Sequence, residues 1–402
     1  MNLRVTLDWQ GRLIPVGHLH VAVTRGQERY RFQYHPDWLA HPLRFDLDPA
    51  LPLAQDVPYH SATLWGVFQD ISPDRWGRLV MDRRFGHALS ASEYMLGVSD
   101  TMRLGALRLS LESDPARFLA EHEEVPKLVQ LRALEQAARN LERGQETPAD
   151  LAMLAQPGSS LGGAHPKAVV EDAGVLWVAK FQPHTATERI GSWEALMHDL
   201  ARQAGIRTAP FQILQAEGSR PIFLSQRFDR QGRARIPFCS AMTLLERDES
   251  SRDSASYLEL SDAISRYSCQ PRQDKHELWT RMSFNALAAN TDDHLRNHGF
   301  LREPQGWRLA PAFDLNPNPE PYARRAHALS FDGRQVRPSL ALCRELAPYF
   351  DVSDAQCEAI LNTLARVLNQ WQATARRYGL TAAEIQRYTA AFEHPDHPAA
   401  AI

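Results

Sequence analysis

FNALAANTDDHLRNHGF, residues 284–300, is the stretch on which the reading of the chain turns. Its front half, Phe284 to Ala289, has the apolar character of a buried helix. Its back half places Asp292, Asp293, His294, Asn297 and His298 within seven positions. So many polar groups at the end of an apolar helix are costly to pack unless water or a ligand satisfies them. Asp292 and Asn297 stand five apart, the D-x-x-x-x-N spacing at which protein-kinase catalytic loops carry a base and a magnesium ligand. Downstream, GWRLAPAFDLNPNP (306–319) predicts an apolar strand ending in Asp314, a carboxylate placed to be a second metal ligand. Hard oxygen donors together with phosphate suit Mg²⁺. Plainer readings exist for the same residues. Asp293 could cap a turn. His294 and His298 could lie on the surface, or their four-residue spacing could hold zinc on a helix, although no Glu follows His294 as an HExxH pattern requires.

Two upstream segments fit the same chemistry in chain order. PGSSLGGAHPK (157–167) is rich in small residues, which let backbone N–H groups approach phosphate oxygens. It lacks the Walker A spacing, and alone it reads equally as a flexible turn. VLWVAKF (175–181) predicts a short strand with Lys180 near its end. Such a lysine either snorkels to water or serves as a compact charge on phosphates. Glu194, on a helix predicted over 192–205, is either the carboxylate that orients Lys180 or a solvated helix-face glutamate.

Composition narrows the field. The 402 residues carry 45 cations and 48 Asp+Glu, a formal charge of −3 that argues against a nucleic-acid binder held by a basic surface. Only four of the cations are lysine (Lys127, Lys167, Lys180 and Lys275), so each lysine in a predicted site stands out against the arginine background. No apolar run reaches the length of a membrane span, and MNLRVTLDWQGR has no signal-peptide h-region. The four cysteines, Cys239, Cys269, Cys343 and Cys357, form no CxxC pair, and a reduced cytoplasmic protein is expected.

The order of elements is a β-rich front, a mixed middle and an α-rich back. Leu3, Val5 and Leu7, then Tyr30, Phe32 and Tyr34, alternate as strands do, with Gly11 and Gly26 at turns. Residues 61–98 read as helical, broken by ISPDRWGR at 71–78, and 117–143 as a charged helical stretch followed by a linker at 144–150. From 257 onward helices dominate. Ser353 with Gln356, and Thr381 with Glu384, form capping boxes. The first is expected to open a helix with Ile360, Leu364, Leu368 and Trp371 on one face. The class is α+β.

Taken together these segments resemble the HipA-type serine/threonine kinases, toxins of type II toxin–antitoxin systems. The resemblance runs over most of the chain: FQDISPDRWGRLV (68–80), LGALRL (104–109), SSLGGAHPKA (159–168), WVAKF (177–181), QRFDR (226–230), NTDDHLRNHGF (290–300) and LAPAFDLNP (309–317). It implies a two-lobed protein-kinase-like fold. The parts would be a β-rich N-terminal subdomain (1–110), a helical connector (111–150), an N-lobe with the Gly-rich loop (151–250) and a helical C-lobe (251–395). It also implies ATP and Mg²⁺. By position, Asp292 is then the catalytic base, with His294 in the same loop, and Asn297 and Asp314 the metal ligands. Ser160, Leu161, Gly162, Gly163, Ala164 and Lys180 would bind ATP, joined by Met242 and Leu244 from an adenine-binding strand at 239–245. Ser160, with Ser159 as second candidate, would be autophosphorylated. An aminoacyl-tRNA synthetase would be the substrate, a HipB-type helix-turn-helix antitoxin the partner, and DNA would be reached mainly through that antitoxin, with no membrane role. Two departures from eukaryotic kinases stand out: Leu315-Asn316 follows the metal aspartate in place of Phe-Gly, and Asn290-Thr291 precede Asp292 in place of His-Arg. The competing readings are a catalytically weak protein that binds an antitoxin–operator complex, and a metal-dependent hydrolase or nuclease using the Asp/His cluster.

Overall fold

The structure, a computed structural model, describes residues 1–120, 125–155, 165–215, 220–248 and 255–396. Compactness divides the chain into two units, Met1–Thr185 with Ser225–Glu246, and Ala186–Leu224 with Arg247 onward. The four-part segmentation follows sequence character and cuts elsewhere.

The first unit opens as a sheet of strands β1 (Asn2–Trp9), β2 (Arg12–Thr24), β3 (Gln27–Tyr34), β4 (Tyr59–Ser61), β5 (Leu107–Leu111) and β6 (Asp114–Phe118), in the order β4-β3-β2-β1-β5-β6. The expected alternation holds: Leu3, Val5, Leu7, Tyr30, Phe32 and Tyr34 are all buried. The two-residue hairpin loops Gln10-Gly11 and Arg25-Gly26 have positive φ at both positions, the turn whose twist matches antiparallel strands.

Helices Gly66–Asp70, Arg75–Phe85 and Ala91–Gly97 follow β4 in the chain. The break expected over 71–78 is shorter, because Asp74 caps the second helix by accepting from Gly77 N at 2.7 Å, and the helix already begins at Arg75. Within the charged stretch 117–143, β6 runs to Phe118 and the described helical residues begin at Leu128. Likewise the expected linker stops at Thr147, whose hydroxyl caps the helix Pro148–Ala155 by accepting from Asp150 N.

A fourth correction concerns 239–245. Strand conformation covers only Phe238–Ser240, after which the Ser240 hydroxyl accepts from Thr243 N and starts the short helix Ala241–Leu244. Asp70 explains the switch: its carboxylate accepts from Ser240 N (2.8 Å) and Thr243 Oγ1 (2.9 Å). Gly66 permits the packing, because a Cβ there would lie 2.5 Å from Thr243 Oγ1. Met242 and Leu244 are therefore buried in a helix, not carried on a strand.

The motif QRFDR forms the unit's buried ionic node. Asp229 accepts from Arg227 Nε (2.9 Å) and Nη2 (2.6 Å), Arg230 Nη1 (2.6 Å) and Gly105 N (2.8 Å). Arg227 also donates to Met102 O and Arg103 O, and Arg230 to Arg103 O, so QRFDR is stapled to the segment around LGALRL. Burial alone would raise the Asp229 pKa, but the two guanidiniums bring it down to about 2. The strands β7 (Lys167–Asp172) and β8 (Val175–Lys180) form a hairpin in which Lys167 stands directly opposite Lys180.

The second unit is mainly helical: Ile190–Gln203, Tyr257–Tyr267, Pro271–Leu287, Leu340–Leu346, Asp354–Leu368, Trp371–Arg377 and Ala382–Phe392. Both capping boxes form as expected. The helix expected to carry Trp371 ends instead at Leu368, and Trp371 opens the next one, where its ring stacks on Phe392 at 4.5 Å between centroids. Trp193 stacks on Tyr388 at 3.9 Å and so ties the first helix of the unit to the last. Among the described residues no helix is long and apolar enough to cross a membrane.

The Asp229 node yields a stability test. Replacing one partner of a buried ionic cluster leaves uncompensated charge and costs roughly 3–5 kcal/mol. Asp229→Asn is expected to lower the unfolding free energy by that order in urea titration, while substituting the exposed Glu358 is expected to cost below about 1 kcal/mol.

Candidate functional site

The helix Pro271–Leu287, apolar at its end from Phe284, delivers the polar cluster. It ends where Ala289 takes a left-handed φ of +53°, and the next residues run as an open loop to a single helical turn at Leu295–Asn297. Hairpin strands Gly299–Glu303 and Gly306–Leu309 then return the chain toward Asp314. The expected strand thus ends five residues before Asp314, which lies on an irregular segment with φ +60°. That backbone region is strained for a residue with a side chain, and it recurs at functional sites when neighbours hold it.

The two adjacent aspartates do different things. Asp293 is buried, and one oxygen of its carboxylate accepts from Tyr257 Oη (2.5 Å), Asn285 Nδ2 (3.0 Å) and His298 Nε2 (2.9 Å). Burial would raise its pKa, yet His298 and Tyr257 bring it below the usual carboxylate value. The same carboxylate, with burial as the larger cause, pushes the Tyr257 phenol well above its ordinary range. Asp293 and His298 are therefore committed to each other. The zinc reading needed His298 as a ligand, and the hydrolase reading needed both. Asp292 is exposed by contrast, and its main-chain oxygen belongs to the loop's framework.

Asn297 donates its Nδ2 to Asp292 O at 3.1 Å. A carbonyl can only accept, so the orientation of this amide is fixed, with Oδ1 as its remaining donor atom for a cation. Near Asp314, Asn316 Oδ1 is buried with no hydrogen-bond partner among the described residues. The Asp314 carboxylate and the amide carbonyls of Asn297 and Asn316 are hard oxygen donors, a chemistry that suits Mg²⁺ and not a soft ion. His294 is extended and half-buried, and its Nδ1 has no hydrogen-bond partner among the described residues.

In the first unit, Lys180 closes β8 and is half-buried. Its cross-strand neighbour Lys167 is buried and ion-paired to Asp74 at 2.7 Å, and its carbonyl accepts from Trp76 Nε1 at 3.1 Å. Lys167 therefore has a structural job, which separates it from Lys180. Glu194 is 2% exposed, with Oε1 3.8 Å from His198 Nε2, which excludes the solvated-face reading. Ser159, Ser160, Leu161, Gly162, Gly163 and Ala164 lie outside the described residues.

Several supporting residues escape a reading of the sequence. Tyr257, Asn285 and Asn318 hold the loop but lie up to dozens of residues from it. Only Asn285 left a trace, as the one polar residue in the apolar run Phe284–Ala289. His327 also escaped notice: it is buried and its ring nitrogens have no hydrogen-bond partner among the described residues.

Known proteins resemble this chain in sequence and fold. Residues 159–386 match the sequence profile of the HipA-like C-terminal domain, and residues 10–110 that of the HipA N-terminal domain. A putative kinase, Y4mE of Sinorhizobium fredii, is 30% identical over 131 residues, which cover 30% of this chain and 31% of that protein's length. HipA of Shewanella oneidensis MR-1, solved with HipB and operator DNA, superposes with a TM-score of 0.67 at 16% identity, covering 97% of this chain and 95% of the other, and so shares its fold. The Helicobacter pylori proinflammatory kinase CtkA covers 57% of this chain and 91% of its own, at 15% identity and a TM-score of 0.42.

His327 makes the site's surroundings acid-sensitive. Burial lowers its pKa to about 4, only partly opposed by Asp293, against an ordinary value of 6.5. A depressed histidine is neutral in the fold, so the unfolded chain takes up more protons as pH falls below 6.5. Stability is then full above that value and declines down to about pH 4, by about 2 kcal/mol at pH 5. Urea unfolding at pH 7.5 and pH 5 checks this, and His327→Leu should remove that part of the slope.

Proposed function

The chain belongs to the HipA family, and from that premise we propose that it is an ATP- and Mg²⁺-dependent serine/threonine protein kinase, the toxin of a HipBA-like module. The observation that carries the reading is the division of labour at 292–297. Asp293 is locked inside while Asp292 is exposed, and Asn297 is turned so that its amide oxygen faces away from the loop's own framework. A loop held in this way is preorganised for positioning, the main source of rate in phosphoryl transfer.

In this reading Asp292 orients the acceptor hydroxyl and takes its proton. The hydroxyl oxygen bonds to the γ-phosphorus as the bond to the β–γ bridging oxygen breaks, releasing ADP. Lys180 supplies a compact positive charge to the phosphates. Asn297 and Asp314 would hold Mg²⁺, which when bound neutralises phosphate charge. His294 belongs to the same loop and takes part near the reacting groups. Ser160, or else Ser159, is the autophosphorylation site. Phosphate there adds about −1.5 to −2 charges to a loop that would cradle ATP phosphates, so the phosphorylated form is inactive. Met242 and Leu244, buried in the helix Ala241–Leu244, would line the adenine's place.

The family resemblance supports an aminoacyl-tRNA synthetase as substrate, with inhibition of translation, growth arrest and persistence as the outcome. The Shewanella HipA complex supports a HipB-type antitoxin as partner and operator DNA reached through it. The near-neutral net charge of −3 agrees with DNA contact that depends on that partner.

Transfer of label from γ-³²P-ATP in the presence of Mg²⁺ tests the proposal. Loss of a general base costs 10²–10⁴-fold, so Asp292→Asn is expected to lose about that much. Lys180→Arg keeps the charge but replaces a point charge with a fork, and most activity should go with it. Equal labelling of wild type and Asp292→Asn would overturn the kinase reading. Wild-type activity in Lys180→Arg would return that lysine to a packing role.

A further inference from the structure

The segment that carries Asp314 is tied to the catalytic loop by its own asparagines. Asn318 N donates to Ala289 O (2.8 Å), and Asn318 Nδ2 donates to Thr291 Oγ1 (2.8 Å). The Asn318 Oδ1 accepts from Glu320 N (2.9 Å), so both ends of the side chain are used. Asn316 N donates to Asn290 Oδ1 (3.3 Å), while Asn290 Nδ2 donates back to Asn285 Oδ1 (3.0 Å) on the preceding helix. Thr291 O and Asp293 O in turn accept from Ala328 N (2.8 Å) and Leu329 N (3.0 Å). Residues 289–293 thus sit between 316–318 on one side and 328–329 on the other, bonded to both.

We propose that Asn318, acting through Thr291, is a positioning residue that holds Asp314 in its metal-binding place. The physical need is the backbone at Asp314. A left-handed φ of +60° costs a non-glycine residue free energy and persists only where neighbours over-determine it. The bonds from Asn316 and Asn318 are what pin the chain on the C-terminal side of that residue. Asn290 and Thr291 stand where eukaryotic kinases carry the His-Arg pair that couples the catalytic loop to a phosphorylated segment. Here the same two positions bond directly to the metal-aspartate segment. The two loops consequently form one preassembled piece, and assembling them needs no phosphorylation of a separate activation segment. The proposal rests on the kinase reading for the role of Asp314, but the tie itself is a property of the fold.

Two readouts on the full chain keep these levels apart. Hydrogen–deuterium exchange needs no ligand: Asn318→Ala and Thr291→Val are each expected to speed exchange of amides 314–318 by at least tenfold, while the helix 354–368 stays protected. Thr291→Ser, which keeps the hydroxyl, should match wild type, and the double variant should go no further than either single one. The second readout is Mn²⁺ affinity by electron paramagnetic resonance with a saturating non-hydrolysable ATP analogue. A roughly tenfold weakening is expected in both singles, with analogue binding in the absence of metal unchanged. Exchange at 314–318 within twofold of wild type in Asn318→Ala would overturn the proposal. So would altered exchange accompanied by unaltered Mn²⁺ affinity. If the wild type binds no analogue, the kinase reading fails, and the exchange experiment still decides whether Asn318 holds the segment.

Discussion

A single buried carboxylate oxygen organises the second unit's loop. Asp293 is removed from water and would be costly there alone, so the fold surrounds it with three donors from three places: Tyr257, Asn285 and His298. Those partners come from two helices and from the far end of the loop itself. Satisfying one anion therefore fixes the path of residues 292–298 against the core. The exposed Asp292 and the buried Asn297, on the same loop, take their places from this buried carboxylate.

The first unit shows the same economy of design in a different motif. The acidic residues of FQDISPDRWGRLV and QRFDR look as reactive on paper as those of the loop, yet all three are internal. Asp70 builds the start of the 241–244 helix, Asp74 caps a helix and neutralises Lys167, and Asp229 joins two segments more than a hundred residues apart. Charge in this protein is therefore divided between scaffolding and chemistry. What separates the classes is burial together with a complete set of partners, not residue type.

This division also explains what was legible in the sequence. Strand alternation at Leu3–Leu7 and Tyr30–Tyr34, the glycine turns and the capping boxes are local signals, and the structure carries them as expected. The loop composition at 284–300 pointed to a polar site because too many polar groups gathered in one apolar context. The failures at 239–245 and at Lys167 share one cause, long-range bonding that local pattern does not contain. Asp70 turned the end of an expected strand into a helix from 170 residues away. Lys167 looked like a neighbour of the nucleotide until Asp74 was found to hold it. Asn318 and Tyr257 were invisible because their meaning lies in what they touch.

The most direct measurement is a crystal structure of the protein with Mg²⁺ and a non-hydrolysable ATP analogue. The present reading requires a metal ion on the Asn297 amide oxygen and the Asp314 carboxylate, the analogue's phosphates beside Lys180, and Asp293 still bonded to Tyr257, Asn285 and His298. A metal held instead by Asp293, His294 and His298, or crystals that take up no nucleotide at saturating concentration, would contradict it.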